Sequence, residues 1–139
     1  MTQRELMTKL RDESLKNPNI KRRKREPSFD ILKRKDSCLY IHIPKTGGRY
    51  LRKLLKIEGI NYSTPGHKGA LFVENRIDNF DDKFSFACVR NPYERFLSAC
   101  VFNGLRDFEK VSNQVLEGNV KAKYPVHFDT QKSFVANEE

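Results

Sequence analysis

Residues 38–50, Cys-Leu-Tyr-Ile-His-Ile-Pro-Lys-Thr-Gly-Gly-Arg-Tyr, restrict what this chain can fold into more than any other stretch. The apolar run Leu39–Ile43 predicts a buried strand. Pro44 ends it, because proline cannot donate to a central ladder. Lys45, Thr46, Gly47 and Gly48 follow, and a helical pattern starts at once. A strand, a glycine turn and a helix start in that order form an anion site. Backbone N–H groups can close around a phosphate, and the helix N-terminus adds positive potential. Lys45 adds a full charge beside them. The order is not that of the Walker loop, in which the lysine follows the last glycine. The plainer alternative is an ordinary strand–turn–helix with a surface lysine.

A second apolar run, Phe84–Val89, has the pattern of a strand covered on both faces. Helical segments separate the two runs. The first spans about 48–58, with Tyr50, Leu51, Leu54 and Leu55 on one side and Gly59 as its stop. A weaker one covers about 69–77, after a loop over 60–68. This alternation predicts an α/β fold, a parallel sheet with helices packed on it. After the second strand, Asn91 is a helix cap and Pro92 fits the first turn. Tyr93, Phe96, Leu97, Cys100 and Val101 then share an inward face. A further helix is expected over 107–117, with Phe108, Val111 and Val115 inward.

The 139 residues suit one domain, expected over 37–139. Residues 1–36 read as a basic N-terminal arm, partly helical or flexible. Thr2 and Glu5 form a capping-box pattern ahead of Leu6, Met7 and Leu10, and Asn17-Pro18-Asn19 breaks that helix. Of the net charge of +9, residues 1–37 hold +6, with Lys21–Arg25 as an unbroken basic run. Such a run can meet a polyanion or an import receptor, but like charges in series more often make a solvated arm. No aromatic residue interleaves it, so no specific nucleic acid is expected as a partner. No apolar stretch is long enough for a transmembrane anchor or a secretory signal, which leads to a cytoplasmic expectation. Cys38, Cys88 and Cys100 lack metal-ligand spacing and read as reduced core thiols, and no metal site is expected.

Residues 86–99, Phe-Ala-Cys-Val-Arg-Asn-Pro-Tyr-Glu-Arg-Phe-Leu-Ser-Ala, carry a second motif. Arg90 ends the strand, and Ser98 follows eight residues later in the next helix. Together with Pro-Lys-Thr-Gly-Gly, this resembles the sulfotransferases that use 3′-phosphoadenosine 5′-phosphosulfate (PAPS), closest to the carbohydrate-type and bacterial ones. The resemblance spans about residues 38–136. It implies a P-loop-like sheet, compact or truncated relative to that family. It implies PAPS as sulfuryl donor, no metal, and an acceptor hydroxyl, on a carbohydrate by similarity alone. Lys45, Thr46, Gly47 and Gly48 correspond to the loop that holds the 5′-phosphate, and Arg90 and Ser98 to the 3′-phosphate motif. Gly66-His67 matches a Gly-His step of the family, which makes His67 a general-base candidate or a hydrogen-bonding loop histidine. His127, Gln131 and Phe134 match a later element, and Arg95 matches as a structural ion-pairing residue. His42 reads as a packed strand residue, and Tyr40, Tyr93 and Phe96 as core.

Two departures stand out. The family places Thr or Ser after the paired glycines, where this chain has Arg49 and Tyr50; Arg49 can substitute by charge. The chain also ends soon after Phe134, where relatives continue. Three readings follow. The first is an active small sulfotransferase, with a homo-oligomer as one way to complete its site. The second is a nucleotide-binding remnant. The third is an interaction protein that binds polyanions through its basic arm.

Overall fold

The computed structural model describes residues 28–136. The expected N-terminal helix and the Lys21–Arg25 run lie outside the described residues. Among the described residues, β1 (Ser37–Ile41) is the one strand with neighbours on both sides: the order is β2–β1–β3, with both pairings parallel. β2 is Asn61–Ser63 and β3 is Ser85–Ala87. Leu39 is the pivot, opposite Ser63 on one side and Ser85 on the other. The central strand therefore starts two residues earlier than the apolar run suggested, because ladder bonds and not side-chain polarity set its start. Ser37 is admitted by giving its hydroxyl to the Arg34 carbonyl at 2.6 Å.

The pleat sends alternate residues to opposite faces. Leu39, Ile41 and Ile43 enter one core with Leu32, Val73 and Phe134. Each side chain of this size stabilises the fold by about 1.5–3 kcal/mol when fully buried. Leu32 comes from a 3-10 turn, Asp30–Lys33, so this stretch packs on the sheet although composition groups it with the arm. Tyr40 and His42 point to the other face, where Tyr40 stacks on Phe86 at 5.2 Å and His42 lies 5.6 Å away.

Among the described residues, the helices that flank the sheet are α1 (Gly48–Ile57), α2 (Ala70–Glu74), α3 (Pro92–Phe102), α4 (Phe108–Leu116) and α5 (Lys132–Val135). Asn91 caps α3 by accepting from the Tyr93 and Glu94 N–H groups, and Asp107 caps α4 by accepting from Lys110.

Several expectations are corrected. The 60–68 loop contains β2, a short polar strand that pairs because β1 offers an open edge. β3 is an edge strand, and Phe84 and Val89 at its ends are exposed, not covered on both faces. On α1, Leu55 is buried while Leu54 and Tyr50 are exposed, because little described chain packs over that side. Phe108 on α4 is exposed as well, leaving Val111 as its buried residue. On α3 the buried side chains are Arg95, Ala99 and Cys100, while Tyr93, Leu97 and Val101 form an exposed stripe. Tyr93 is thus not core; the helix has turned because Arg95 is drawn inward by carbonyl partners described below. Cys38 and Cys100 are buried free thiols, whereas Cys88 is half-buried.

Candidate functional site

The loop between β1 and α1 is held in an unusual backbone state. Lys45 has φ of 67°, in the left-handed region, which costs a side-chain-bearing residue on the order of 1–2 kcal/mol. Gly47 follows at φ 85° and precedes the first turn of α1. Among the described residues, none accepts a hydrogen bond from the backbone N–H of Lys45, Thr46 or Gly47. At the start of α1 the N–H groups of Gly48 and Arg49 have no described acceptor either, whereas those of Tyr50 and Leu51 donate to the Gly47 carbonyl. The loop therefore presents a row of free donors at a helix start, which is the arrangement an anion needs. The Thr46 hydroxyl donates to the Ile43 carbonyl at 2.7 Å, so its proton is already used and its amide is the donor that remains.

Gly48 is glycine for a different reason. Its backbone is ordinary, but a Cβ there would lie 2.0 Å from Nε2 of His42. The buried imidazole sits directly against the helix start.

Lys45, Arg90 and Ser98 line one open groove of about 530 Å³. An Nη of Arg90 donates to the Lys45 carbonyl at 3.5 Å, so the two sequence motifs meet. Glu94 lines the same groove and accepts from Nε of Arg90 at 3.4 Å. Leu97, Val101 and Phe102 form its apolar wall. Part of the stripe expected in the core thus faces this opening. The Lys45 ammonium rests 4.2 Å from the centroid of the Phe102 ring, a cation–π contact. Desolvation pushes the Lys45 pKa down, and the charges of Arg49 and Arg90 push the same way. Lys45 and Arg90 thus share the groove without a described carboxylate on Lys45, and a bound anion would relieve the repulsion that Arg49 adds to from outside it. Arg49 and Tyr50 stand exposed on the first turn of α1, and neither lines the groove.

All three histidines form a row behind the loop. His42 and His67 rings are 4.8 Å apart, and His67 and His127 5.7 Å. His127 is 5.1 Å from Phe102, which carries the row to Lys45. Burial, reinforced by the neighbouring His67, lowers the pKa of His42 to about 4 and that of His127 to about 4. His67 is the exposed member, yet surrounding protein and then Arg52 push its pKa down too. All three are neutral at pH 7. His67 lies outside the groove lining. Among the described residues, no group of three or more His, Cys, Asp or Glu is placed to hold a metal ion.

Arg95 and Gln131, which the resemblance named, anchor the site through contacts that spacing does not show. Arg95, 6% exposed, donates from Nε to the Pro44 carbonyl and from Nη1 to the Asp129 carbonyl, both at 2.8 Å. It ties the loop to the C-terminal strap, and its partners are carbonyls instead of the ion pair expected. Burial pushes its pKa down, and Asp129 partly offsets this. Gln131 forms two hydrogen bonds with the backbone of Arg90. Its Oε1 accepts from the Arg90 N–H at 2.9 Å, and its Nε2 donates to the Arg90 carbonyl at 2.8 Å. No sequence period signals either arrangement, since each joins residues more than thirty positions apart through main-chain atoms.

A family model described as "Sulfotransferase family" matches residues 29–124, well over half of the chain, and the chain belongs to that family. Both motifs of the groove fall inside the match; His127, Gln131 and Phe134 fall beyond it. No curated protein and no solved structure matches. Among the described residues, no helix is long and apolar enough to cross a membrane.

Proposed function

We propose that the protein transfers a sulfuryl group from PAPS to an acceptor hydroxyl, with a carbohydrate as the acceptor class. The observation that carries this reading is the meeting of Lys45, Arg90 and Ser98 in one groove, beside the free amides of Lys45–Gly47. The donor set fits a nucleotide with two separate anionic ends. The loop amides and Lys45 would hold the 5′ end, while the planar fork of Arg90 and the Ser98 hydroxyl would hold the 3′-phosphate. PAPS supplies an activated sulfuryl group when bound. The work of this chain is to orient it and to stabilise charge on the leaving phosphate, as in phosphoryl transfer.

Lys45 has the charge and placement for the second task. Its ammonium is parked on Phe102, a weaker partner than a phosphate oxygen, and is free to move across. His67 is the candidate base. It is neutral at pH 7 and therefore able to accept a proton from an acceptor hydroxyl.

The test is transfer from labelled PAPS to a panel of sugars and glycans, alongside titration with adenosine 3′,5′-bisphosphate. Binding and transfer are expected, with Lys45→Ala lowering turnover by about 10²–10³ and His67→Ala lowering turnover at unchanged nucleotide affinity. Binding without transfer to any acceptor would point to a nucleotide-binding remnant. Absence of binding would overturn the nucleotide reading altogether.

A further inference from the structure

The eight residues from His127 to Phe134 join several parts of the structure around the groove. His127 closes the imidazole row, the Asp129 carbonyl takes Nη1 of Arg95, Gln131 pairs with Arg90, and Phe134 is buried in the sheet core. The Phe134 backbone also packs close against Gly69, where an added Cβ would come within 2.9 Å of its carbonyl oxygen. Gln131 therefore stands on a segment anchored on both sides of it.

Its target is the weak point of the groove. Arg90 lies past the end of β3, an edge strand with one neighbour, so no ladder holds it. Its side chain is 40% exposed, with one contact to Glu94 and a long one to the Lys45 carbonyl. A guanidinium on a free strand end would wander. The carboxamide of Gln131 supplies what the missing strand would, one acceptor and one donor in the spacing of a peptide group. We infer that Gln131 is a positioning residue that fixes the Arg90 main chain and so sets selectivity for a nucleotide carrying a 3′-phosphate. This rests on the reading of Arg90 given above. Gln131 does not line the groove, and its side chain bonds the main chain of Arg90 alone, so its effect is confined to what Arg90 recognises.

The experiment compares two ligands on the full chain by calorimetric titration. Adenosine 3′,5′-bisphosphate and adenosine 5′-monophosphate differ only in the 3′-phosphate, and the ratio of their affinities isolates it. Wild type is expected to prefer the bisphosphate, and Arg90→Ala to abolish that preference. Gln131→Leu removes both hydrogen bonds and is expected to shrink the preference by roughly tenfold, with the affinity for the monophosphate unchanged. Gln131→Met also removes both hydrogen bonds, adds no charge and keeps the length of the side chain. Its preference is expected to shrink as in Gln131→Leu, and it decides the question if the leucine variant does not fold. Adding Gln131→Leu to Arg90→Ala should change nothing further. An unaltered preference in the Gln131 variants, or an equal loss for both ligands, would overturn the inference while leaving the nucleotide reading intact. A wild type indifferent to the 3′-phosphate would instead remove the role assigned to Arg90, and the inference with it.

Discussion

Replacing Gly48 by alanine tests the packing of the loop, because two effects oppose each other and the structure says which wins. Gly48 opens α1 in ordinary helical backbone, so alanine should gain up to about 1 kcal/mol of helix propensity. Against this, the new Cβ would lie 2.0 Å from Nε2 of His42. Non-bonded contacts close at about 3.5 Å, so the ring would have to retreat by about 1.5 Å. It has nowhere to go: Tyr40 and His67 flank it at 5.6 and 4.8 Å between ring centres. Overpacking of this kind costs about 1–3 kcal/mol, and the clash here is severe enough to outweigh the propensity gain. With the clash at the upper part of that range, about 2–3 kcal/mol, less a gain of up to about 1 kcal/mol, the net loss is about 1–3 kcal/mol, and at about 4 °C per kcal/mol Gly48→Ala should lower Tm by about 4–12 °C in thermal denaturation followed by circular dichroism. In a His42→Ala background the same substitution should be neutral or stabilising, a coupling of about 1–3 kcal/mol. Gly47→Ala is the control. At φ 85° with open space around it, it should cost about 1–2 kcal/mol in either background. Equal Tm losses for Gly48→Ala with and without His42 would refute the contact.

Acid should destabilise the fold early. His42 and His127, with pKa about 4 in the folded chain against 6.5 unfolded, are neutral when folded, so the unfolded chain binds protons first as pH falls. Their contribution is complete above pH 6.5 and is lost between 6.5 and 4, by at most about 3 kcal/mol each; urea denaturation that is flat from pH 7 to 5 would contradict this. Arg95→Met leaves the Pro44 and Asp129 carbonyls without their donor and should cost about 2 kcal/mol while weakening bisphosphate binding, measured by denaturation and titration together; unchanged values for both would remove the tie between loop and strap. Glu94→Gln should leave stability within about 1 kcal/mol, since its pair with Arg90 is exposed, and should tighten bisphosphate binding severalfold by removing a negative charge from the groove. Weaker binding would show that Glu94 aims Arg90 instead of competing for it.

Local chemistry explains what could be read in advance. The strand–Pro–Lys–Thr–Gly–Gly–helix unit and the Arg90–Asn91–Pro92 junction are contiguous, and each residue there acts on its near neighbours. β2 was hidden because Asn61, Tyr62 and Ser63 carry no apolar pattern; their pairing is decided by the open edge of β1. The orientation of α3 was hidden for a related reason. Periodicity turns Tyr93 and Leu97 inward, but a buried guanidinium with two carbonyl partners outweighs exposed apolar area. The motifs could suggest that Lys45 and Arg90 share a ligand. They could not suggest that Gln131 braces Arg90 or that His42 dictates Gly48, since both depend on which chain segments the fold brings together.

The placement of β1 also bears on how the chain reaches its fold. Leu39 must wait for partners 24 and 46 residues later, and neither pairing is a hairpin. During synthesis this apolar strand therefore emerges well ahead of both strands that pair with it, with only the Leu32 turn made before it. Parallel, sequence-distant pairing forms slowly and leaves such strands open to wrong partners. The strand from which the groove's loop springs is thus also a segment that needs protection on the ribosome.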